Sequence, residues 1–218
     1  MRRGAAAAFV AVALATGACS DGGTTVAPPA TTVAFTGPLV PALLTQSQLR
    51  RVPGFSTLVV VDVASATAFA EPDPRGPCGA PVPQLPLDDA MGTAWSSNTI
   101  RGGFQLVVRR PATELQRYMT ARLRNTSENC PPFKIRTRSG GEQELKFESA
   151  VRITREAAQS FAVVMAVRVG ADVRAQTIIE VRTGNLLSRA VLFTSRPVGS
   201  SVVRGIAALM AKSQRNVV

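Results

Sequence analysis

Between residues 144 and 195 apolar and polar side chains alternate, and turn-forming residues interrupt the alternation at short intervals. A pleated strand puts residues i and i+2 on one face, so the pattern predicts half-buried strands of an antiparallel sheet. Over Glu144–Ile153, Leu145, Phe147, Val151 and Ile153 point one way, while Glu144, Lys146, Glu148 and Arg152 point the other. Phe161–Val169, Val173–Arg182 and Leu186–Ser195 follow, with turns at Gly170-Ala171-Asp172 and Thr183-Gly184-Asn185. Strands joined so tightly form a meander.

Upstream, Leu43–Arg51 reads as a short helix in which Thr45 is the N-cap and Gln48 completes a capping box. Leu58–Val63 is an apolar strand. Six prolines between Pro72 and Pro86 make residues 71–94 a long irregular loop. Ile100–Arg110 is a strand with Phe104, Leu106 and Val108 on one face. Pro111 then opens a helix whose stripe is Leu115, Tyr118, Met119 and Leu123. After the meander, Ser200 or Ser201 can cap a last helix carrying Val202, Val203, Ile206, Leu209 and Met210. The expected fold class is α+β: a two-layer sandwich, a mainly antiparallel β-sheet with helices packed on one face.

The chain has no histidine, which removes Ser-His-Asp triads, Cys-His pairs and His-ligated zinc. Glu144 and Glu148 alternate with core residues, so they read as solvated rather than as a glycosidase pair. Gly102-Gly103 lacks the context of a nucleotide loop. No catalytic residue, metal site or cofactor is expected.

The N-terminus reads as an export address. Arg2 and Arg3 precede an apolar run, Gly4–Thr16, too short to span a bilayer as a helix. Thr16-Gly17-Ala18-Cys19 resembles the lipobox of bacterial lipoproteins, in which the cysteine is acylated and the peptide cut before it. Two or three acyl chains hold a protein firmly where one does so marginally. The expected organisation is a signal peptide over 1–18, lipidated Cys19 with a flexible tether over 19–38, and one extracytoplasmic domain over 39–218. The chain would sit on the outer face of the cytoplasmic membrane. In such an oxidising place the other cysteines, Cys78 and Cys130, read as a disulfide. Its loop of about 50 residues would stabilise the fold by roughly 4 kcal/mol.

The formal net charge is +11, and 22 of the 25 basic residues are arginine. The arginine, alanine and valine bias suits a GC-rich genome such as an actinobacterium's. The export signal argues against nucleic acid as a partner. Arg152, Arg168, Arg174 and Arg182 alternate with apolar residues on neighbouring strands. Paired in simple register they could gather on the open sheet face and hold a carboxylate, phosphate or lipid headgroup. Trp95, the single tryptophan, ends the irregular loop. It either lines a groove or packs on the sheet.

The layout resembles the PknH-like extracellular sensor domain of actinobacteria. The resemblance rests on the Leu43-Leu44-Thr45…Leu49 helix, Pro77-Cys78, and Ala90–Trp95. It continues through the Phe104–Val108 strand, the helix ending near Cys130, and Ile206–Lys212. The family usually carries two disulfides, and this chain has cysteines for one. The resemblance implies an α/β domain with a ligand groove and no catalytic residues. The expected function is therefore a lipid-anchored binding or sensor module. Its partner would be a small anionic or lipidic ligand or an envelope protein. The alternative is a carrier lipoprotein for a lipid or other envelope molecule.

Overall fold

The computed structural model describes residues 38–65, 90–97, 100, 102–124, 131–136, 142–153, 159–169 and 172–217. The expected leader, nearly all of the expected tether, Cys19, Cys78 and Cys130 lie outside them. The eight described strands are β1 (Val59–Ser65), β2 (Met91–Ser96), β3 (Gly102–Arg109), β4 (Phe133–Arg136), β5 (Glu142–Arg152), β6 (Gln159–Val169), β7 (Asp172–Thr183) and β8 (Leu186–Thr194). The helices are α1 (Gln46–Leu49), α2 (Ala112–Arg124) and α3 (Ser200–Arg215), preceded by a 3-10 turn at Val40–Ala42.

All eight strands form one sheet in the order β1-β2-β3-β8-β7-β6-β5-β4, and every pairing is antiparallel. The chain builds β1 to β3 inward from one edge. It then crosses by α2 to the opposite edge and returns through β4 to β8, which closes the centre against β3. The β7–β8 turn is two residues, Gly184 and Asn185, and Gly184 takes φ 59°, a conformation that glycine adopts without steric cost.

The α+β class and the antiparallel sheet with helices packed on it are as expected. The helices, however, occupy both faces. Leu49 of α1 and Val203, Ile206, Ala207, Met210 and Ala211 of α3 pack on Ile179, Val181, Ala190 and Leu192. Leu115, Tyr118 and Met119 of α2 pack on Ile178, Leu187, Val191, Val163 and Met165. Successive residues of β8 enter opposite clusters, so α2 lies across the sheet from α3. The physical reason is the centre of the sheet. From Leu186 to Leu192 every residue of β8 except Arg189 is buried, so both faces of that strand need cover.

Other boundaries differ from expectation. Residues 91–94 are not loop but the first part of β2. No proline falls between Pro86 and the end of β2, and Gly92, Thr93 and Trp95 are small or flat enough to be buried on a strand between two others. Helix α3 is capped by Gly199, with no side-chain cap from Ser200 or Ser201. The capping box of α1 is present as read. Gln48 N–H donates to Thr45 Oγ1 at 3.3 Å and Thr45 N–H donates to Gln48 Oε1 at 2.8 Å. Strand β5 does not alternate simply. Its pairing with β6 skips Glu148, Phe147 facing Met165 and Ser149 facing Val164. This bulge reverses the faces beyond it. Leu145 and Phe147 therefore pack under α2, whereas Ile153 joins the cluster under α3.

A buried glutamine fixes the N-terminal segment. Gln105 of β3 accepts from Leu44 N–H at 2.8 Å through Oε1. Its Nε2 donates to Ser188 Oγ at 2.7 Å and to Ala42 O at 3.3 Å. Its polar atoms take up backbone groups that would otherwise be buried unpaired.

Candidate functional site

Of the four candidate arginines, Arg168, Arg174 and Arg182 do not converge. The register puts Arg168 opposite Val173 and puts Arg174 opposite Val167, so these two side chains leave opposite faces of the sheet. Arg174 and Arg182 share a face but are eight residues apart on β7, roughly 27 Å at the rise of a strand. Arg168, Arg174 and Arg182 each have local partners. Arg174 Nη2 donates to Asp172 at 3.1 Å, and Arg168 stands 3.8 Å from Glu144. Arg182 Nε donates to Gln159 Oε1 at 2.9 Å, and Nη1 donates to Gly184 O at 3.2 Å. The register sets Arg152 opposite Phe161. Trp95 is 2 % exposed inside β2, so it packs in the core rather than lining an open groove. Cys78 and Cys130, expected to form a disulfide, and Cys19, expected to be lipidated, lie outside the described residues.

Charged groups do converge under α2. Glu180 of β7 faces Arg189 of β8, and Arg189 Nε donates to Glu180 Oε1 at 2.7 Å. Tyr118 and Arg122, four residues apart on α2, lie on its buried side. Tyr118 donates its hydroxyl proton to Glu180 Oε1 at 2.9 Å, and Arg122 Nε donates to Glu180 Oε2 at 3.3 Å. Arg189 also donates to the Tyr118 hydroxyl, and its Cζ lies 5.9 Å from the centre of that ring. Glu180 is wholly buried, and Arg122 nearly so.

The electrostatics define what this cluster can do. Burial alone would push the Glu180 carboxyl up. The charges of Arg122 and Arg189, with the hydrogen bonds from Arg189 and Tyr118, outweigh it and hold the carboxyl below its ordinary value. Burial pushes the Tyr118 hydroxyl up to about 12, with the charge of Glu180 adding to the rise and that of Arg189 opposing it. At neutral pH the glutamate stays ionised and the tyrosine stays protonated. General acid–base catalysis needs a group that titrates near the working pH, and both groups are driven away from it. The cluster is an anchor that fixes α2 to β7 and β8. Among the described residues no three His, Cys, Asp or Glu side chains lie close enough to hold a metal ion. Also among them, no helix is long and apolar enough to cross a membrane.

The sequence pattern puts Tyr118 on the apolar stripe of its helix but singles out none of Glu180, Arg122 and Arg189. The available signal was in β8. Leu186, Leu187, Ala190, Val191 and Leu192 surround Arg189, and a strand apolar on both faces buries whatever polar residue it carries.

No protein-family model matches this chain, and no curated protein matches it. The fold does match a solved structure, the crystal structure of the extracellular domain of PknH from Mycobacterium tuberculosis. The two are 13 % identical with a TM-score of 0.54, and the match covers 80 % of this chain and 93 % of that one. At that identity the likeness is one of fold, and this chain is similar in architecture to an extracellular domain.

Proposed function

We propose that this chain is a lipid-anchored, extracytoplasmic binding or sensor module without catalytic activity. The observation that carries the reading is the fold likeness to the extracellular domain of PknH over most of both chains. The leader supports it: Arg2 and Arg3, a short apolar run, then Thr16-Gly17-Ala18-Cys19. Cys19 would carry the acyl chains, residues 19–38 would be the tether, and Cys78 would pair with Cys130. The ligand would be a small anionic or lipidic molecule or an envelope protein. The buried cluster supports a module that binds rather than reacts, since its titratable groups are held away from neutral pH.

A lipid carrier needs a cavity between sheet and helices. The side chains there argue against one. Leu49, Ile206, Ala207, Met210 and Ala211 have no accessible surface, and the wall of a lipid-sized void would have some.

The test is expression of the whole chain in an actinobacterial host beside Cys19→Ala. The parent should partition into the detergent phase and show the mass of a diacylglyceryl-modified Cys19. The variant should lose both. Equal membrane association of the two proteins would sink the anchor.

A further inference from the structure

The helical layer formed by α1 and α3 carries basic residues without acidic ones. Residues 38–58 and 195–217 contain no Asp or Glu. Arg50, Arg51, Arg204, Lys212 and Arg215 are all exposed. On α3, Arg204, Lys212 and Arg215 fall within roughly 80° of one another around the helix axis. The opposite side of α3 is the buried one, with Val203, Ile206, Ala207 and Met210 against the sheet.

Two contacts place the α1 arginines beside this stripe. Gln48 Nε2 lies 3.4 Å from Ser213 Oγ. A Cβ at Gly205 would lie 3.8 Å from Val52 Cγ1. Arg50 and Arg51 fall between Gln48 and Val52, so they lie alongside the stretch of α3 bounded by Arg204 and Lys212. The result is one continuous basic surface. The chain also enters the described domain on this side. Leu39 packs in the cluster that Val217, just beyond α3, also touches.

We infer that the outer face of α1 and α3 is a docking surface for an anionic lipid bilayer. Charge complementarity selects this occupant. Juxtamembrane basic residues are attracted to anionic headgroups, each adding about 1 kcal/mol close to the surface. Protein interfaces instead centre on Trp, Tyr and Arg anchors seated in well-packed, desolvated pockets. The large exposed apolar side chains among the described residues, Val59 and Val173, are on strands and not on these helices. The inference extends the reading of a membrane-tethered module. On a domain so anchored, the basic face would determine which side meets the membrane.

The experiment uses the segment of residues 20–218, which keeps every described residue and carries no acyl group. It is exported behind a leader that is cleaved without lipidation. Its co-sedimentation is measured with vesicles of phosphatidylcholine alone and of phosphatidylcholine with phosphatidylglycerol. Binding to the mixed vesicles alone, weakened by high salt, is expected. The variant Arg51→Gln/Arg204→Gln/Lys212→Gln/Arg215→Gln should bind roughly 10- to 1,000-fold more weakly. A control removes four charges elsewhere, Arg117→Gln/Lys134→Gln/Lys146→Gln/Arg168→Gln, and should bind as the parent does. The smaller variant Arg51→Gln/Lys212→Gln serves if the fourfold one unfolds, and should show an intermediate loss. Absent binding, binding indifferent to lipid charge, or an equal loss in the control would overturn the docking surface. None of these results depends on Cys19, so they leave the anchor to be judged by its own experiment.

Discussion

Trp95 and Gly103 show how much one residue decides in this fold. They are direct partners between β2 and β3, and the indole lies over the glycine. A Cβ at Gly103 would stand 2.8 Å from Val191 O, 3.3 Å from Leu192 Cδ2 and 3.4 Å from Trp95 Cε3. The first of these is backbone and cannot swing away. Gly103→Ala should therefore cost about 1–3 kcal/mol in urea unfolding. Its neighbour supplies the contrast, because a Cβ at Gly102 meets nothing within 4 Å. Gly102→Ala should change stability by less than about 0.5 kcal/mol. Equal effects at the two positions would refute this account of the pair. The Gly-Gly pair was visible in the sequence, but its purpose was not. That purpose depends on an aromatic ring from another strand, and no local pattern reports cross-strand neighbours. The same blindness hid Glu180, Arg122 and Arg189, which are 58 and 9 residues from the glutamate in the chain and meet only through tertiary packing.

At the level of elements, the local signals were legible and the long-range ones were not. Thr45 and Gln48 define their own capping box, and both hydrogen bonds are made within three residues. The strands β6 to β8 follow from alternation and short turns. Strand β4 escaped notice because four residues, Phe133–Arg136, are too few to establish a period. Strand β5 was recognised, but its single alternation was assumed to run to Ile153. Glu148 breaks it: the residue is exposed, skipped by the ladder, and followed by a strand in the opposite phase. Removing Glu148 would join Phe147 to Ser149 with every other pair already in phase. The deletion should thus keep Ile153 under α3 and cost no more than about 1 kcal/mol. Urea unfolding with amide exchange on β5 and β6 would check it. A loss of protection from Ser149 onward would mean that the bulge itself holds the register.

Across the whole molecule, the central closure between β3 and β8 joins two meanders that the chain makes at different times. No sequence pattern states that order, and it is what forces helices onto both faces. Helix α2 spans the crossing, and the Glu180 cluster is a buried polar attachment of it to the sheet. A titration in that cluster should consequently be felt by the global stability. Glu180 holds its proton less tightly when folded than in an unfolded chain, where a glutamate titrates near 4.3. Its contribution is therefore complete above about pH 4.3 and is lost as the pH falls through the lowered folded value. Tyr118 works in the other direction. Its folded proton is held up to about 12, against about 10 unfolded, so its contribution is complete below about 10 and is lost as the pH rises towards 12. Stability should be flat between these limits and fall on both sides. Glu180→Gln takes the carboxylate charge away from buried Arg122 and half-buried Arg189, which should cost about 3–5 kcal/mol near neutral pH and reduce the acid slope. Tyr118→Phe should instead reduce the alkaline slope and leave the acid one in place. Urea midpoints measured from acid to alkaline pH for the three proteins separate these effects. If the acid slope of Glu180→Gln matched that of the parent, the glutamate would not be what couples protonation to the fold.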